Sequence, residues 1–152
     1  MQNRLPISSV TRRPAIILTR EAIKRDKLVY IAVANKKIKY PSGRWSRIVY
    51  IGTTEKGIQR IAGSGAHRAK TLLTEWGVKE LKLYVVYTRK GKQGVVAVWE
   101  KLERALIQAF KDLHWAKPKL NQQGKNANWE SYYKYFSRQK TRKVIEQFSD
   151  IW

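Results

Sequence analysis

An apolar repeat with the period of a helix runs through the second half of the chain. From about Gly94, apolar side chains recur at spacings of three and four residues, and the positions are Val95, Trp99, Leu102, Leu106, Phe110 and Leu113. Such a repeat predicts a helix that packs one face on a core. A carboxylate, Glu103, lies beside this face. Any fold of the chain must bury the apolar face and place Glu103 at its border.

Glu103 also has an ordinary interpretation. Glu100 precedes it by one helical turn, and Lys101 and Arg104 flank it in the sequence. Residues three and four apart on a helix form charge pairs at a solvated edge. The spacing of the helix therefore leaves two interpretations of Glu103 open, a solvent-exposed edge residue and a functional acid.

Composition predicts one domain with a polyanionic partner. A chain of 152 residues with 43% hydrophobic content can bury one core. We therefore predict a single domain, 1–152. Lys and Arg total 32 against 11 Asp and Glu, a net charge of +21, which favours a polyanion as partner. Aromatic residues are spread along the chain and no long basic amphipathic helix stands out, so nucleic acid is favoured over a membrane surface.

Several classes of site are excluded or disfavoured. The chain has no cysteine, which excludes disulfides, thiolate nucleophiles and cysteine-based zinc sites. With only His67 and His114 as histidines, a metal would be held mainly by oxygen ligands. The apolar runs are far shorter than the ~18 residues that span a bilayer, and no secretory signal is evident. We expect a cytoplasmic protein without membrane partners.

The order of the remaining patterns predicts an α+β fold. We predict an N-terminal arm over 1–14 and a short helix that ends near residue 27. Strands are predicted over 28–34, 47–52 and 81–88, with an excursion between the first two that turns at 41–43. Helices are predicted from about 54 to a break at 63–65, over 67–76, from about 94, and over 129–148. These elements indicate a small three-stranded antiparallel sheet flanked by helices.

Short motifs occur along this chain in a characteristic order. They are Val29-Tyr30-Ile31, Val49-Tyr50-Ile51-Gly52, Arg60, Leu102-Glu103 with Leu106-Ile107, and Pro118 with Asn121. The set resembles the GIY-YIG nuclease family, and the resemblance covers residues 28–121. Its most specific parts are the second motif, the arginine eight residues after Gly52, and LExxLI followed by PxxN. The resemblance implies a three-stranded core at 28–121, with an arm and short helix over 1–27 and a basic aromatic extension over 122–152.

The resemblance also implies a role for each motif residue. Glu103 would bind one Mg²⁺ or Mn²⁺ ion, a cation that prefers oxygen ligands and retains most of its waters. Arg60 would stabilise the transition-state phosphate through its planar donor fork. Tyr50 or Tyr30 would act as general base or hold the attacking water, which requires neighbouring cations to lower a pKa that is ordinarily near ~10.

Two further residues complete the implied site. His67 would share in proton transfer, and Asn121 would tie its loop to the site by side-chain hydrogen bonds. Each residue of the set also has a structural interpretation: the tyrosines as core aromatics, Arg60 as a basic surface residue, His67 as a helix cap or phosphate contact, and Asn121 as a turn residue. His114 has no motif support.

The function these patterns favour is metal-dependent cleavage of duplex DNA by a stand-alone endonuclease of a restriction system. A homodimer is expected, because palindromic sites match two-fold symmetry. The predicted DNA contacts are Arg12, Arg13, Arg44, Arg47, Arg68, Lys70, Lys125, Lys134 and Arg138. The alternative is a non-catalytic nucleic-acid-binding module, RNA-binding or ribosome-associated, that depends on charge and aromatic residues alone.

Overall fold

A three-stranded antiparallel sheet forms the centre of the molecule. The computed structural model describes residues 27–88, 92–93, 96–121 and 131–152. Strands β1 (Leu28–Lys39), β2 (Trp45–Thr54) and β3 (Leu81–Val86) are arranged in the order β2-β1-β3. β1 therefore lies in the middle, and its residues 28–34 are all buried. The predicted α+β class with a small antiparallel sheet is confirmed.

The hairpin between β1 and β2 is longer than predicted. Pairing continues past residue 34, across two register irregularities, to a last pair between Lys39 and Trp45. The chain turns at residues 40–44, where the amide of Tyr40 donates to the carbonyl of Arg44 at 2.9 Å and Gly43 has a φ of 81°. The predicted turn position is confirmed. The strands extend further because Ile38 and Tyr40 are buried and keep this part of the hairpin on the core.

The first helix, α1 (Ile58–Glu75), runs without a break. The predicted interruption at residues 63–65 is wrong. An interior glycine costs a helix only about 1 kcal/mol, and packing against the sheet offsets it. A Cβ at Gly65 would lie 3.3 Å from a methyl carbon of Leu83, so the small residue lets the helix lie close to β3.

Helices α2 (Val98–His114) and α3 (Arg138–Asp150) complete the core. Leu28 and Tyr30 of β1 pack with Ile61 of α1. The alternate residues of β1 belong to a larger cluster that α2 and α3 share, and this cluster includes Val29, Ile31, Val33, Leu106, Phe110, Ile145 and Phe148. Because alternate strand residues point to opposite faces, β1 is covered on both sides.

The starts of α2 and α3 differ from prediction. Two short strands, β4 (Lys92–Gln93) and β5 (Val96–Ala97), pair with each other directly before α2, so the helix begins at Val98 and not near residue 94. Its predicted apolar face is buried at residues 99, 102, 106, 110 and 113, and Val95 lies outside the described residues.

The last helix is also shorter than predicted. A 3₁₀ turn over Tyr132–Lys134 precedes it, and Ser137 caps α3 by accepting from the amide of Lys140. The predicted arm, the short N-terminal helix and the predicted helix start at residue 129 lie outside the described residues. Within the described part of the chain, no helix has both the length and the apolarity needed to cross a membrane.

Candidate active site

Two tyrosines meet on the face of the sheet that α1 covers. Tyr30 of β1 lies opposite Gly52 of β2, and Tyr50 is the next residue on the same face of β2. This diagonal position brings the ring centroids to 5.7 Å with an interplanar angle of 48°. Tyr30 is only 2% exposed, whereas Tyr50 is partly buried. The tyrosines of the two motifs are therefore in direct ring contact.

Gly52 is the residue that leaves room for this pair. A Cβ at this position would lie 2.5 Å from Cε1 of Tyr50 and 2.9 Å from Cζ of Tyr30. Both distances are shorter than real Cβ contacts, so any other residue would displace at least one ring. A glycine at position 52 is therefore required for a steric reason, which the sequence motif alone did not indicate.

Arg68 is the arginine that reaches the tyrosine pair. Its Cζ lies 3.9 Å from the centroid of the Tyr50 ring, within the range of a cation–π contact. Its Nη1 donates to the carbonyl of Leu120 at 2.9 Å. Its Nε is buried without a hydrogen-bond partner among the described residues. The sequence predicted Arg68 only as a DNA contact, because the supposed helix break hid its place on a continuous α1.

Arg60 does not join this cluster. It is exposed in the first turn of α1. Its backbone amide donates to the carbonyl of Gly57, but its side chain forms no hydrogen bond or ion pair within the part of the chain described. The motif spacing that favoured Arg60 therefore selected a residue two helical turns before the arginine that contacts Tyr50.

Glu103 is a partly buried carboxylate next to the same cluster. Burial raises its pKa from 4.5 to about 7, Arg104 opposes this rise, and Glu100 adds to it. The charge of Glu103 also raises the pKa of Tyr50, which requires the two side chains to be near each other. Glu103 therefore lies within electrostatic range of Tyr50, and its role as a metal ligand stays a prediction.

The two cations that flank Glu103 in the sequence contact other groups. Lys101 lies over the rings of Tyr132 and Tyr135, at 5.5 and 5.2 Å from their centroids. Nη1 of Arg104 donates to the hydroxyl of Tyr132 at 3.4 Å. No described cation forms an ion pair with Glu103. Glu103 thus forms no ion pair among the described residues, although the charge of Arg104 still acts on it at longer range.

Tyr50 carries a proton at neutral pH. Burial raises its pKa to about 12, with further contributions from Tyr30 and Glu103, and the charge of Arg68 only partly opposes them. The expectation that neighbouring cations would lower the pKa of this phenol is wrong, because one guanidinium does not outweigh desolvation and a nearby carboxylate. Tyr50 is therefore suited to orient a water molecule by hydrogen bonding rather than to remove its proton.

Asn121 binds the backbone of the motif that contains Tyr50. Its Oδ1 accepts from the amide of Ile51 at 3.0 Å, and its Nδ2 donates to the carbonyl of Ile51 at 2.7 Å. The amide of Leu120 donates to the carbonyl of Val49 at 2.9 Å. One backbone hydrogen bond and the two side-chain hydrogen bonds of Asn121 thus fasten this segment to β2. The predicted side-chain link between this loop and the site is confirmed.

The two histidines lie elsewhere. His67 is exposed on α1 and forms no hydrogen bond, ion pair or ring contact with the cluster in the described structure. His114 is 3% exposed at the end of α2, where its ring packs on Phe110 and Tyr40. Burial, aided by the charge of Arg44, lowers its pKa to about 4. The proton-transfer role implied for His67 receives no geometric support.

Apart from Arg68, the predicted DNA contacts divide into three groups. Arg44, Lys70, Lys134 and Arg138 are exposed, although Arg138 also pairs with Asp112 at 3.3 Å. Arg47 is held inside the structure, since its Nη1 donates to the carbonyl of Asn35 and its Cζ lies 5.8 Å from the ring of Trp152. Arg12, Arg13 and Lys125 lie outside the described residues.

The donor set at the cluster is small. Among the described residues, no group of three or more acidic or histidine side chains is placed to hold a metal ion. Glu103 supplies one carboxylate without an ion-pair partner in the described structure. A single hard oxygen ligand suits a cation such as Mg²⁺, which retains waters and takes substrate oxygens as further ligands. The residues present therefore fit a weakly held divalent cation.

Comparison of this chain with protein-family models, with curated proteins and with solved structures finds no significant match. Interpretation of the cluster therefore depends on its own geometry. That geometry brings together two tyrosines, an arginine and a carboxylate from β1, β2, α1 and α2, and Asn121 holds the backbone between Tyr50 and Gly52.

Proposed function

We propose that this protein is a metal-dependent DNA endonuclease of the GIY-YIG type. The observation that carries the proposal is the contact of Arg68 with the Tyr30–Tyr50 pair, with Glu103 within electrostatic range of Tyr50, in a strongly basic protein. The net charge of +21 favours a polyanionic substrate. A purely structural cluster would not require a partly buried carboxylate without an ion-pair partner among the described residues.

The reaction is hydrolysis of a phosphodiester. The oxygen of a water molecule forms a bond to phosphorus, and the bond from phosphorus to the 3′ oxygen breaks. One proton leaves the water and one proton is delivered to the departing oxygen. Catalysis therefore needs groups that orient water, stabilise negative charge on the phosphate and support the leaving group.

Tyr50 is the residue we assign to the attacking water. A phenol with a pKa of about 12 remains a hydrogen-bond donor at neutral pH and can also accept a bond from water. Tyr30 lies behind it and fixes the ring through the contact at 5.7 Å. The backbone of Ile51, held by Asn121, fixes the strand from which Tyr50 projects.

Arg68 is the residue we assign to the phosphate, in place of Arg60. Only one of its guanidinium nitrogens, Nη1, is bonded within the described structure. The buried Nε has no hydrogen-bond partner among the described residues, so the guanidinium is only partly satisfied within the described structure. A guanidinium fork binds two oxygens of a tetrahedral phosphate, which is a geometry that lysine does not reproduce.

Glu103 is the residue that would hold a divalent cation, Mg²⁺ or Mn²⁺. Such a cation, when bound, neutralises charge on phosphate oxygens and acidifies a bound water. The carboxylate fits this task because it is partly buried and lacks an ion-pair partner in the described structure.

The biological setting we favour is a stand-alone restriction-type nuclease of the cytoplasm that acts as a homodimer on duplex DNA. A two-fold symmetric dimer would match a palindromic site.

The test is incubation of plasmid DNA with the protein in Mg²⁺, in Mn²⁺ and in EDTA. Nicked or linear products that require the cation are expected. DNA that is retarded in a gel but remains intact under all three conditions would reject the nuclease and favour the non-catalytic binding module.

Arginine variants then test the residue assignment. Arg68→Lys keeps the charge but removes the donor fork, so cleavage should fall about 100-fold or more while DNA affinity changes little. Arg60→Lys is the matched control on the same helix and should cleave like the parent protein. A loss confined to the Arg60 variant would reverse the assignment.

A further inference from the structure

A polar cleft lies at the end of the β1–β2 hairpin that is remote from the tyrosine pair. Its volume is about 310 Å³, and residues of the hairpin, of α2 and of α3 line it. Trp45, at its edge, is the first residue of β2, and Tyr50 follows five residues later. At about 3.3 Å per residue, the cleft lies about 16 Å from the tyrosine pair. The cleft is therefore separate from the candidate active site.

The charged residues of this cleft leave one cation available. Lys37 pairs with Asp150 at 2.5 Å, and Glu146 pairs with Arg142 at 2.9 Å. Both carboxylates of the lining are thus neutralised. Arg44 is exposed, and no described carboxylate pairs with its guanidinium. The cleft can therefore attract an anion through Arg44 without competition from its own acids.

The walls of the cleft include a flat exposed aromatic surface. The side chain of Trp45 is 54% exposed, which is unusual for so large an apolar ring with no covering partner in the described structure. His114 forms another part of the lining and is 3% exposed. Its buried Nδ1 has no hydrogen-bond partner among the described residues. Its lowered pKa keeps the imidazole neutral at physiological pH, so Arg44 is the charge that faces a ligand.

We propose that this cleft is a nucleotide subsite, in which one unpaired nucleobase stacks on Trp45 and Arg44 holds an adjacent phosphate. Stacking on an exposed indole is tolerant of base identity because every base has a π face. The volume lies at the small end of ligand pockets, which suits one planar ring system. The two carboxylates of the lining already form ion pairs, and the protein carries a net positive charge. Both facts favour nucleic acid over an acidic peptide or a cationic ligand.

The experiment is a thermodynamic cycle between Trp45 and the base. Binding of a single-stranded oligonucleotide is compared with binding of an abasic oligonucleotide of the same length and phosphate number. All measurements are made in EDTA, so the result is independent of whether the protein cleaves DNA. The wild-type protein should bind the base-bearing strand about tenfold more tightly than the abasic strand.

Variants identify where this discrimination arises. In Trp45→Ala the preference for base-bearing DNA should fall to less than about twofold, whereas Trp45→Phe should keep most of it because an aromatic face remains. Trp76→Ala removes another exposed indole and is the control that should retain the full preference. Arg44→Ala should weaken binding of both strands equally and lower the salt slope by about one phosphate.

Two results would overturn the proposal. The first is equal binding of base-bearing and abasic strands by the wild-type protein. The second is an unchanged preference in Trp45→Ala, with folding confirmed by its melting temperature. Loss of the preference in Trp76→Ala instead would place base stacking at a different surface.

Discussion

Replacement of Glu103 by glutamine should stabilise the protein at alkaline pH when no divalent cation is present. The pKa of this carboxyl rises from 4.5 to about 7, mainly through burial. The folded state therefore holds the proton more tightly than the unfolded state. The contribution of Glu103 to stability is at its most favourable below pH 4.5 and is lost as the pH rises through 7. Above pH 7 the folded state carries the full penalty of a partly buried charge.

The size of this penalty follows from the pKa. The rise is about 2.5 units and each unit corresponds to about 1.4 kcal/mol, so the upper limit is about 3.5 kcal/mol. Partial exposure of the side chain reduces it, and a gain of about 1–3 kcal/mol for Glu103→Gln at pH 8 is expected. For a chain of this length, that gain raises the Tm by about 3–10 °C. At pH 4 the same substitution should change stability by less than about 0.5 kcal/mol.

The assay is urea unfolding of both proteins in EDTA at pH 4, 6 and 8, with Glu100→Gln as a matched control on the same helix. Glu100 adds only a secondary contribution to the raised pKa of Glu103, so this control should gain less than about 0.5 kcal/mol at any pH. A Glu103→Gln variant that is no more stable than the parent at pH 8, or equally stabilised at pH 4, would refute the argument. With Mg²⁺ added at pH 8, only the parent protein should gain stability, and the variant should bind DNA without cleaving it.

Three further outcomes are expected. Gly52→Ala should reduce cleavage at least about 100-fold and lower the free energy of unfolding by about 1–3 kcal/mol, because the new Cβ displaces the tyrosine rings. Gly63→Ala is the control, because its Cβ meets open space. This variant should retain cleavage, and its free energy of unfolding should rise by about 0.5–1 kcal/mol. Asn121→Ala should lose about 1–3 kcal/mol in urea unfolding and speed amide exchange at Ile51, since two backbone groups lose their partners; unchanged exchange there would contradict this. Finally, log affinity for duplex DNA should fall linearly with log salt, by about 0.9 per phosphate neutralised, and a salt-independent affinity would argue against nucleic acid as partner.

The sequence predicted the fold class because its strongest signals are local patterns. The uninterrupted apolar stretch at 28–34 fits a strand that is buried on both faces, and the repeat from Trp99 to Leu113 has the period of a helix. The break predicted at Gly63 and Gly65 failed for a tertiary reason. Two glycines cost a helix only a small amount of free energy. The close approach of Gly65 to Leu83 on β3 joins residues far apart in sequence, so a local pattern does not indicate it.

The candidate site was predictable in part for the same reason. Tyr50, Gly52 and Asn121 have positions that the motifs identify, and the structure connects them through the backbone of Ile51. Arg68 was missed as a cluster member because its contact with Tyr50 depends on an unbroken α1. The raised pKa of Tyr50 depends on burial and on neighbouring charge, and neither quantity is contained in the spacing of motifs.

The loop between α2 and Asn121 is fixed at both ends, which restricts how its length can vary. At its start, the carbonyl of His114 accepts from the amide of Ser42 in the hairpin turn. At its end, the side-chain amide of Asn121 forms hydrogen bonds to both backbone groups of Ile51 in β2. A residue inserted between these two anchors would shift Asn121 out of register with Ile51 or pull the helix end from the turn. The length of this short connection is therefore set by its anchors at the two ends of the hairpin, and deletions and insertions here should be tolerated poorly.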